Sequence, residues 1–354
     1  MDIFPLMDQC HARGASDLHV SVGRRPVLRI SGHLVEIGDR VITPADTEAM
    51  AKQVAPARNW EELCKGGTTD FGYAHADKCR FRVSILTQKG SRGIVMRQIP
   101  QKLLSFEQIG LPESVHHLLD LHRGLVLVTG PTGSGKTTTL ATMIDWINTH
   151  RDVHIITIED PVEYYHTHKK SQVTQREVGN DVPAFAEAMR RALRQDPDVV
   201  LLGEMRDLET TSAAITAAET GHLVFGTLHT TGAARTVDRI IDQYPKEQQE
   251  QIRSQLAQSL AAVISQILLP AASGGRVAAF EVMLSNAAIE NHIRKCETFK
   301  IPSVIQTSRR QGMMLMDDSL LDLWRAGRIT KEVALEHAFD RKGFAVRMGG
   351  GTPE

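Results

Sequence analysis

In the stretch VLVTGPTGSGKTTTL, residues 126–140, three glycines and a lysine follow directly on a short run of branched aliphatics. The run Leu125 to Val128 has the side chains of a strand buried in a core. Gly130, Gly133 and Gly135 then allow a turn tight enough to aim successive backbone amides inward, which makes a nest for an anion. From Thr137 the residues suit a helix, whose positive N-terminal end adds to that attraction. Gly130, Gly135, Lys136 and Thr137 fill every position of G-x-x-x-x-G-K-[ST], with Pro131, Thr132, Gly133, Ser134 and Thr138 completing the cradle. In this strand–turn–helix setting the pattern is that of a phosphate-binding loop. Lys136 is expected to reach the β- and γ-phosphates of ATP, and the Thr137 hydroxyl to hold Mg²⁺. A chain built around such a loop is expected to be α/β.

A length of 354 residues allows about two or three domains. The formal net charge of −1 gives no electrostatic reason to bind nucleic acid or anionic lipid. No run approaches the roughly 18 apolar residues that span a bilayer. The start MDIFPLMDQC has an early aspartate and no basic segment before its apolar residues, so a secretory signal is not expected. Cys10, Cys64, Cys79 and Cys296 are scattered without a C-x-x-C pair, which points to packed or free thiols in a reducing cytoplasm rather than zinc or disulfides.

Residues 1–99 carry the signals of a small α+β domain. Alternation in DLHVSVG puts Leu18, Val20 and Val22 on one face, and RPVLRISGHLVEI gives strand, turn at Ser31-Gly32, and strand. Thr43-Pro44 before ADTEAMAKQVA marks a capped helix with proline in its first turn. After a turn at Gly66-Gly67, the segments TDFGYAH, CRFRVSILTQ and GIVMRQI are further strands. A helix packed on an antiparallel sheet is the simplest arrangement. The segment PQKLLSFEQIGLPES supplies a linker over 100–112.

Over 113–270 the pattern changes. GLVLVTG, HIITIED, PDVVLLGE and HLVFGTLH are apolar strands separated by helical stretches, the alternation of a mostly parallel sheet covered by helices. Active residues then belong at the carboxyl ends of the strands. Over 271–348, Gly274-Gly275 precedes a last strand, RVAAFEVML, and helices near Ala287–Lys295, Asp317–Leu323 and Lys331–Phe339. Met313 to Met316 suit core packing, and residues 349–354 are expected to be a disordered tail.

Each later strand of this region ends in acid or histidine. TIEDPVEYY brings Glu159, Asp160 and Glu163, which beside a triphosphate can order a Mg²⁺ water shell or polarise an attacking water. PDVVLLGEMRD ends at Glu204, with Gly203 where P-loop enzymes usually carry an aspartate, so Glu204 works on Mg²⁺ alone or with the Glu159–Glu163 cluster. His229 closes its strand where it could sense the γ-phosphate. His222, at the opposite end of that strand, stands evenly between a structural and a functional role.

Taken together, GPTGSGKTTTL, TIEDPVEYY, DPDVVLLGEMRDLET and AAETGHLVFGTLHTT resemble the Walker A, Asp box, Walker B and His box of the secretion-ATPase superfamily. SDLHVSVG and IPSVIQTS resemble the type IV pilus retraction ATPases within it, and the likeness runs from about Ala15 to Phe339. The resemblance implies a PAS-like N-terminal domain, a RecA-like motor domain with a C-terminal helical region, and a hexameric ring with ATP held between domains. It implies that Glu163 activates water, that Glu204 is the Walker B acid reaching Mg²⁺ through water, and that His229 reads the nucleotide state. Arg80, Arg82 and Arg97 match the family's N-terminal phosphate-contacting arginines, a role the planar guanidinium suits. The implied partners are further copies of the chain and an inner-membrane pilus platform protein, served from the cytoplasmic side.

One departure concerns coupling. Where the family's retraction motif reads approximately A-I-R-N-L-I-R-E, Ala288 to Lys295 reads AIENHIRK. Glu290 and Lys295 reverse charge and His292 replaces an apolar residue. The extension ATPases' tetracysteine zinc loop and long N-terminal extension have no counterpart here, which argues against filament assembly. An accessory retraction ATPase, a motor for a type II secretion-like filament, and a nucleotide-gated regulatory module are the competing readings. Lys136, Glu163 and Glu204 argue against the last, since a pure binder needs no water-activating acid.

Overall fold

The computed structural model describes residues 1–349 except residues 31, 77 and 100–102. The Ser31 turn position, the start of the expected linker and the tail from residue 350 therefore lie outside the described residues. The chain divides into two units, Met1–Lys102 with Pro161–Tyr165, and Leu103–Asp160 with His166–Glu354.

The first unit is one antiparallel sheet with helices. Its strands are β1 (Asp17–Val20), β2 (Val27–Ile30), β3 (His33–Glu36), β4 (Thr68–His75), β5 (Cys79–Gln88) and β6 (Ser91–Ile99), in the order β3-β2-β1-β6-β5-β4. The period-two pattern of CRFRVSI is realised on β5, where Cys79, Phe81, Val83 and Ile85 are buried and Arg82 is exposed. The expected helix spans Pro44–Val54, and the Thr43 hydroxyl accepts the Asp46 amide while Asp46 accepts the Thr43 amide. That reciprocal cap fixes the helix start by satisfying two amides that would otherwise have no partner. Two further helices, Phe4–Ala12 and Ala57–Gly66, were not evident from pattern. Neither has a side-chain N-cap, and burial of Leu6, Met7 and Cys10 in one and Leu63 in the other holds them.

The second unit is a seven-stranded sheet covered by helices. Its strands are β7 (Gly124–Thr129), β8 (His154–Glu159), β9 (Gln172–Glu177), β10 (Val199–Leu202), β11 (Leu223–Leu228), β12 (Leu260–Pro270) and β13 (Arg276–Leu284). The order is β13-β12-β7-β11-β10-β8-β9, all parallel except β13. Leu125 and Leu127 of β7 enter one apolar layer while Val126 and Val128 enter the other, so this strand is buried on both faces. The four anticipated strands and the last one are present, with β9 and β12 in addition. The α/β class expected from the phosphate loop is what the chain adopts.

From Leu103 onward the chain packs into this unit, with Phe106, Ile109 and Leu111 in its core. At the other end, Met313 and Met316 are fully buried, and the helices Met316–Arg325, Lys331–His337 and Arg341–Arg347 pack around a further apolar cluster. Among the described residues no helix is long and apolar enough to cross a membrane.

Candidate active site

The phosphate loop leaves the carboxyl end of β7, which is flanked by β11 and β12, and leads into the helix Lys136–His150. Two of its glycines are required by a close neighbour. A Cβ on Gly130 would lie 2.1 Å from the Gln266 carbonyl oxygen, and one on Gly135 would lie 2.8 Å from Gln266 Nε2. Both also have positive φ, 144° and 90°, where side chains are strained. Gln266, on β12, holds the loop from beneath, and its Oε1 accepts the fully buried Thr139 hydroxyl at 2.7 Å. The Lys136 ammonium donates to the carbonyls of Gly130 at 2.8 Å and Pro131 at 3.1 Å. Burial draws its pKa down, and the charge of Glu204 opposes that. Ser134 is buried and its hydroxyl has no hydrogen-bond partner. Pro131, Thr132 and Gly133 are exposed, while Thr137 and Thr138 are half-buried at the helix start.

Around this loop the strand ends are tied to one another. Gly130 N–H donates to the Leu228 carbonyl and Met205 N–H to Thr227, so β7, the segment after β10, and β11 end in register. His229 Nε2 lies 2.9 Å from Glu204 Oε1, and Arg206 pairs with the other oxygen at 2.7 Å. Burial works against the charge of Glu204, but Arg206 and His229 outweigh it and hold the carboxyl below its usual range. A carboxylate kept ionised beside a cationic lysine is suited to ordering a metal-bound water. Glu204, Met205, Arg206, His229, Thr230, Arg239 and Gln243 line a cavity of about 340 Å³.

Glu159 and His222 face other tasks. Glu159 is buried and accepts from Thr157 at 2.6 Å and Gln175 at 3.4 Å, which ties it into its own sheet. His222 Nδ1 donates to the Ala217 carbonyl at 3.0 Å, closing the C-terminal end of the helix Leu208–Glu219. Asp160 remains exposed at the end of β8.

Glu163 and the three arginines belong to the first unit. Glu163 sits half-buried in the segment Pro161–Tyr165. Arg80 stacks on the Tyr165 ring at 3.6 Å from its centre. Arg97 Nε donates to Asp17 Oδ1 at 3.0 Å. On β5, Arg82 lies directly opposite Arg97, and Asp17 lies opposite Arg97 on the other side and opposite Arg29 beyond. The sheet face thus carries a row Arg29–Asp17–Arg97–Arg82, with Arg80 two residues from Arg82. Like charges directly opposite are unfavourable unless an anion joins them.

Sequence reasoning missed Arg206 and Gln266. A signal existed for each. Arg206 follows Glu204 by two positions in GEMRD, and Gln266 with Ser265 interrupts an otherwise apolar run, LAAVISQILLP.

Known proteins share the sequence and fold of this chain. Residues 2–329 match the family model described as Type II/IV secretion system protein. The type IV pilus retractation ATPase PilT of Pseudomonas aeruginosa is 46% identical over 338 residues, 96% of this chain and 98% of the relative. A twitching motility protein of Neisseria gonorrhoeae is 46% identical over 314 residues, 88% of this chain and 84% of the relative. The crystal structure of the pilus retraction motor PilT with bound ADP superposes with a TM-score of 0.91 at 45% identity, covering 97% of this chain and 98% of that one.

Proposed function

The chain belongs to the Type II/IV secretion system protein family, and from that membership we propose that it is a hexameric, ATP-hydrolysing motor for the retraction of type IV pili. The observation that carries the reading is the glycine cradle closed by Gln266 beside the Glu204–His229 pair. The unpartnered Ser134 hydroxyl and the open space beside Gly133, where no atom lies within 4 Å of a Cβ position, suit a nucleotide's phosphates with Mg²⁺. Thr137 would hold the ion directly and Glu204 through water. The ion would neutralise charge developing on the phosphates during hydrolysis.

Within that reading Lys136 binds the β- and γ-phosphates, Glu163 orients the attacking water, and His229 reports the state of the site through Glu204. The facing pair supports Arg82 and Arg97 as donors to phosphate oxygens, since bound anion relieves their repulsion, and Arg80, two residues from Arg82 on the same strand, joins them in this reading. The motor works from the cytoplasm against an inner-membrane platform protein of the pilus machine.

The altered motif favours an accessory role as second reading. In the helix Ala287–Arg294, Glu290 pairs with Arg294 at 3.3 Å and His292 with Glu297 at 3.2 Å, so two of the changed side chains are engaged within their own chain. The test is deletion of the gene, scoring filament number and surface motility. More filaments with lost motility is the expected result. Unchanged filaments and motility would favour the accessory role, and loss of filaments would overturn retraction. In parallel, purified Lys136→Ala should lose ATP turnover while keeping its fold.

A further inference from the structure

A row of polar side chains crosses the apolar sheet of the second unit. Thr129 on β7 pairs with Ser265 on β12, and Ser265 pairs with Glu281 on β13. Directly opposite residues share a face, and all three are buried. Thr129 immediately precedes the phosphate loop.

The far end of this row holds two helices. Ser265 Oγ accepts the Gly232 amide at 2.9 Å. One oxygen of Glu281 accepts the Ala233 amide at 2.7 Å, and the other accepts the Met316 amide at 3.4 Å. Ala233 opens the helix Ala233–Ile241, which follows His229 closely in the chain, and Met316 opens the helix Met316–Arg325. Neither helix has a side-chain cap from its own N-cap residue. A single carboxylate therefore serves both starts, where the positive ends of two helices converge on it.

A buried carboxyl group is an expensive occupant for a core position. Burial pushes the Glu281 carboxyl up, against the opposing amides of Ala233 and Met316. An apolar side chain would fill the site more cheaply but would leave both amides without an acceptor.

We propose that Glu281 is a positioning residue that yokes the helix after His229 to the helix Met316–Arg325, carrying a change at the nucleotide site into the C-terminal helices. The two arms are unequal, and the longer one, to Met316, is the one that yields when Ala233 moves. Because both helices share one acceptor group, neither start can shift without altering the other's hydrogen bond. The inference rests on the phosphate loop binding nucleotide, so ADP affinity is measured separately from transmission.

The test is amide hydrogen exchange on the full chain with and without ADP, alongside a fluorescent-nucleotide titration. In the native protein ADP should change exchange both at Ala233 and in the first turn of the helix Met316–Arg325. Glu281→Gln offers one acceptor oxygen in place of two, so it cannot serve both amides. It should reduce the ADP response at Met316 at least about fivefold while leaving ADP affinity within about twofold. Glu281→Asp, which keeps the charge but shortens the reach, carries the same expectation if the amide variant does not fold. A native protein in which ADP moves Ala233 but not Met316 would overturn the yoke, and so would a variant that melts earlier yet keeps the full response. Failure of native protein to bind ADP would instead remove the nucleotide reading, and this inference with it.

Discussion

Gly203 occupies the position where P-loop strands usually carry an aspartate, and its surroundings account for the substitution. A Cβ there would lie 3.2 Å from Glu159 Cα and 3.2 Å from the Ile158 carbonyl oxygen, both backbone atoms that cannot swing aside. The acid is displaced by one residue to Glu204, where Arg206 and His229 can hold it. Gly203→Asp should therefore add no activity and should destabilise the fold by about 1–3 kcal/mol through overpacking. Glu204→Gln keeps the shape but loses the charge, and ATP turnover should fall about 10²-fold or more. The same charge gives a pH signature. Its partners hold the folded-state carboxyl low, so its contribution to stability is present above the ordinary glutamate range and is lost as acid titrates the folded form. Glu204→Gln should accordingly weaken the native protein's loss of stability on acidification, read from melts between neutral pH and about pH 2. An acid limb unchanged by the substitution would mean that Arg206 and His229 do not set the state of this carboxyl.

Strand β12 connects residue chemistry to the sheet, and it is the element that the sequence announced least. The helix Lys246–Ser259 runs into it with no glycine or proline between, and LAAVISQILLP contains residues that suit a buried helix as well as a strand. By contrast β5 alternates cleanly, β7 and β11 are bounded by turn residues, and Thr43-Pro44 marks its helix by capping chemistry; all were legible. Strand β9, QVTQRE, is polar and half-exposed at the sheet edge, so it has no apolar pattern to read. The phosphate loop was legible because every position is fixed by chemistry, whereas Gln266 was not, because its partners lie far away in sequence. Its role can be measured. Gln266→Leu leaves the Thr139 hydroxyl buried without its acceptor. The expected cost is about 1–3 kcal/mol in urea unfolding, with unchanged denaturant slope. Weakened ADP binding should accompany it, since Gln266 packs closely against the loop at Gly130 and Gly135. Full stability and native affinity would show that the loop keeps its form without support from β12.

At the scale of the whole molecule, the switch from antiparallel strands to alternating strand and helix made the two kinds of architecture readable. The grouping of Pro161–Tyr165 with the first unit was not, because Glu163 stands only a few residues after Glu159 and Asp160 and invites reading as one cluster. The proposed machinery is therefore divided: the phosphate loop, Glu204 and His229 belong to one unit, while Glu163 and the arginine row belong to the other. The hexamer proposed above should make activity depend on association. Mass action then predicts that ATP turnover per chain rises with protein concentration and levels off where light scattering reports the full ring. Arg82→Ala should lower that plateau with little loss of stability, because it removes an exposed charge that faces Arg97. Arg97→Ala is a less simple change. It takes the 3.0 Å partner from the buried Asp17, so some destabilisation of the first unit should accompany its loss of turnover. Arg97→Lys should restore more of the stability than of the turnover, since an ammonium can pair with Asp17 but lacks the planar fork for phosphate. Turnover per chain that stays constant from dilute monomer to assembled ring, and is untouched by Arg82→Ala, would refute a site completed by assembly.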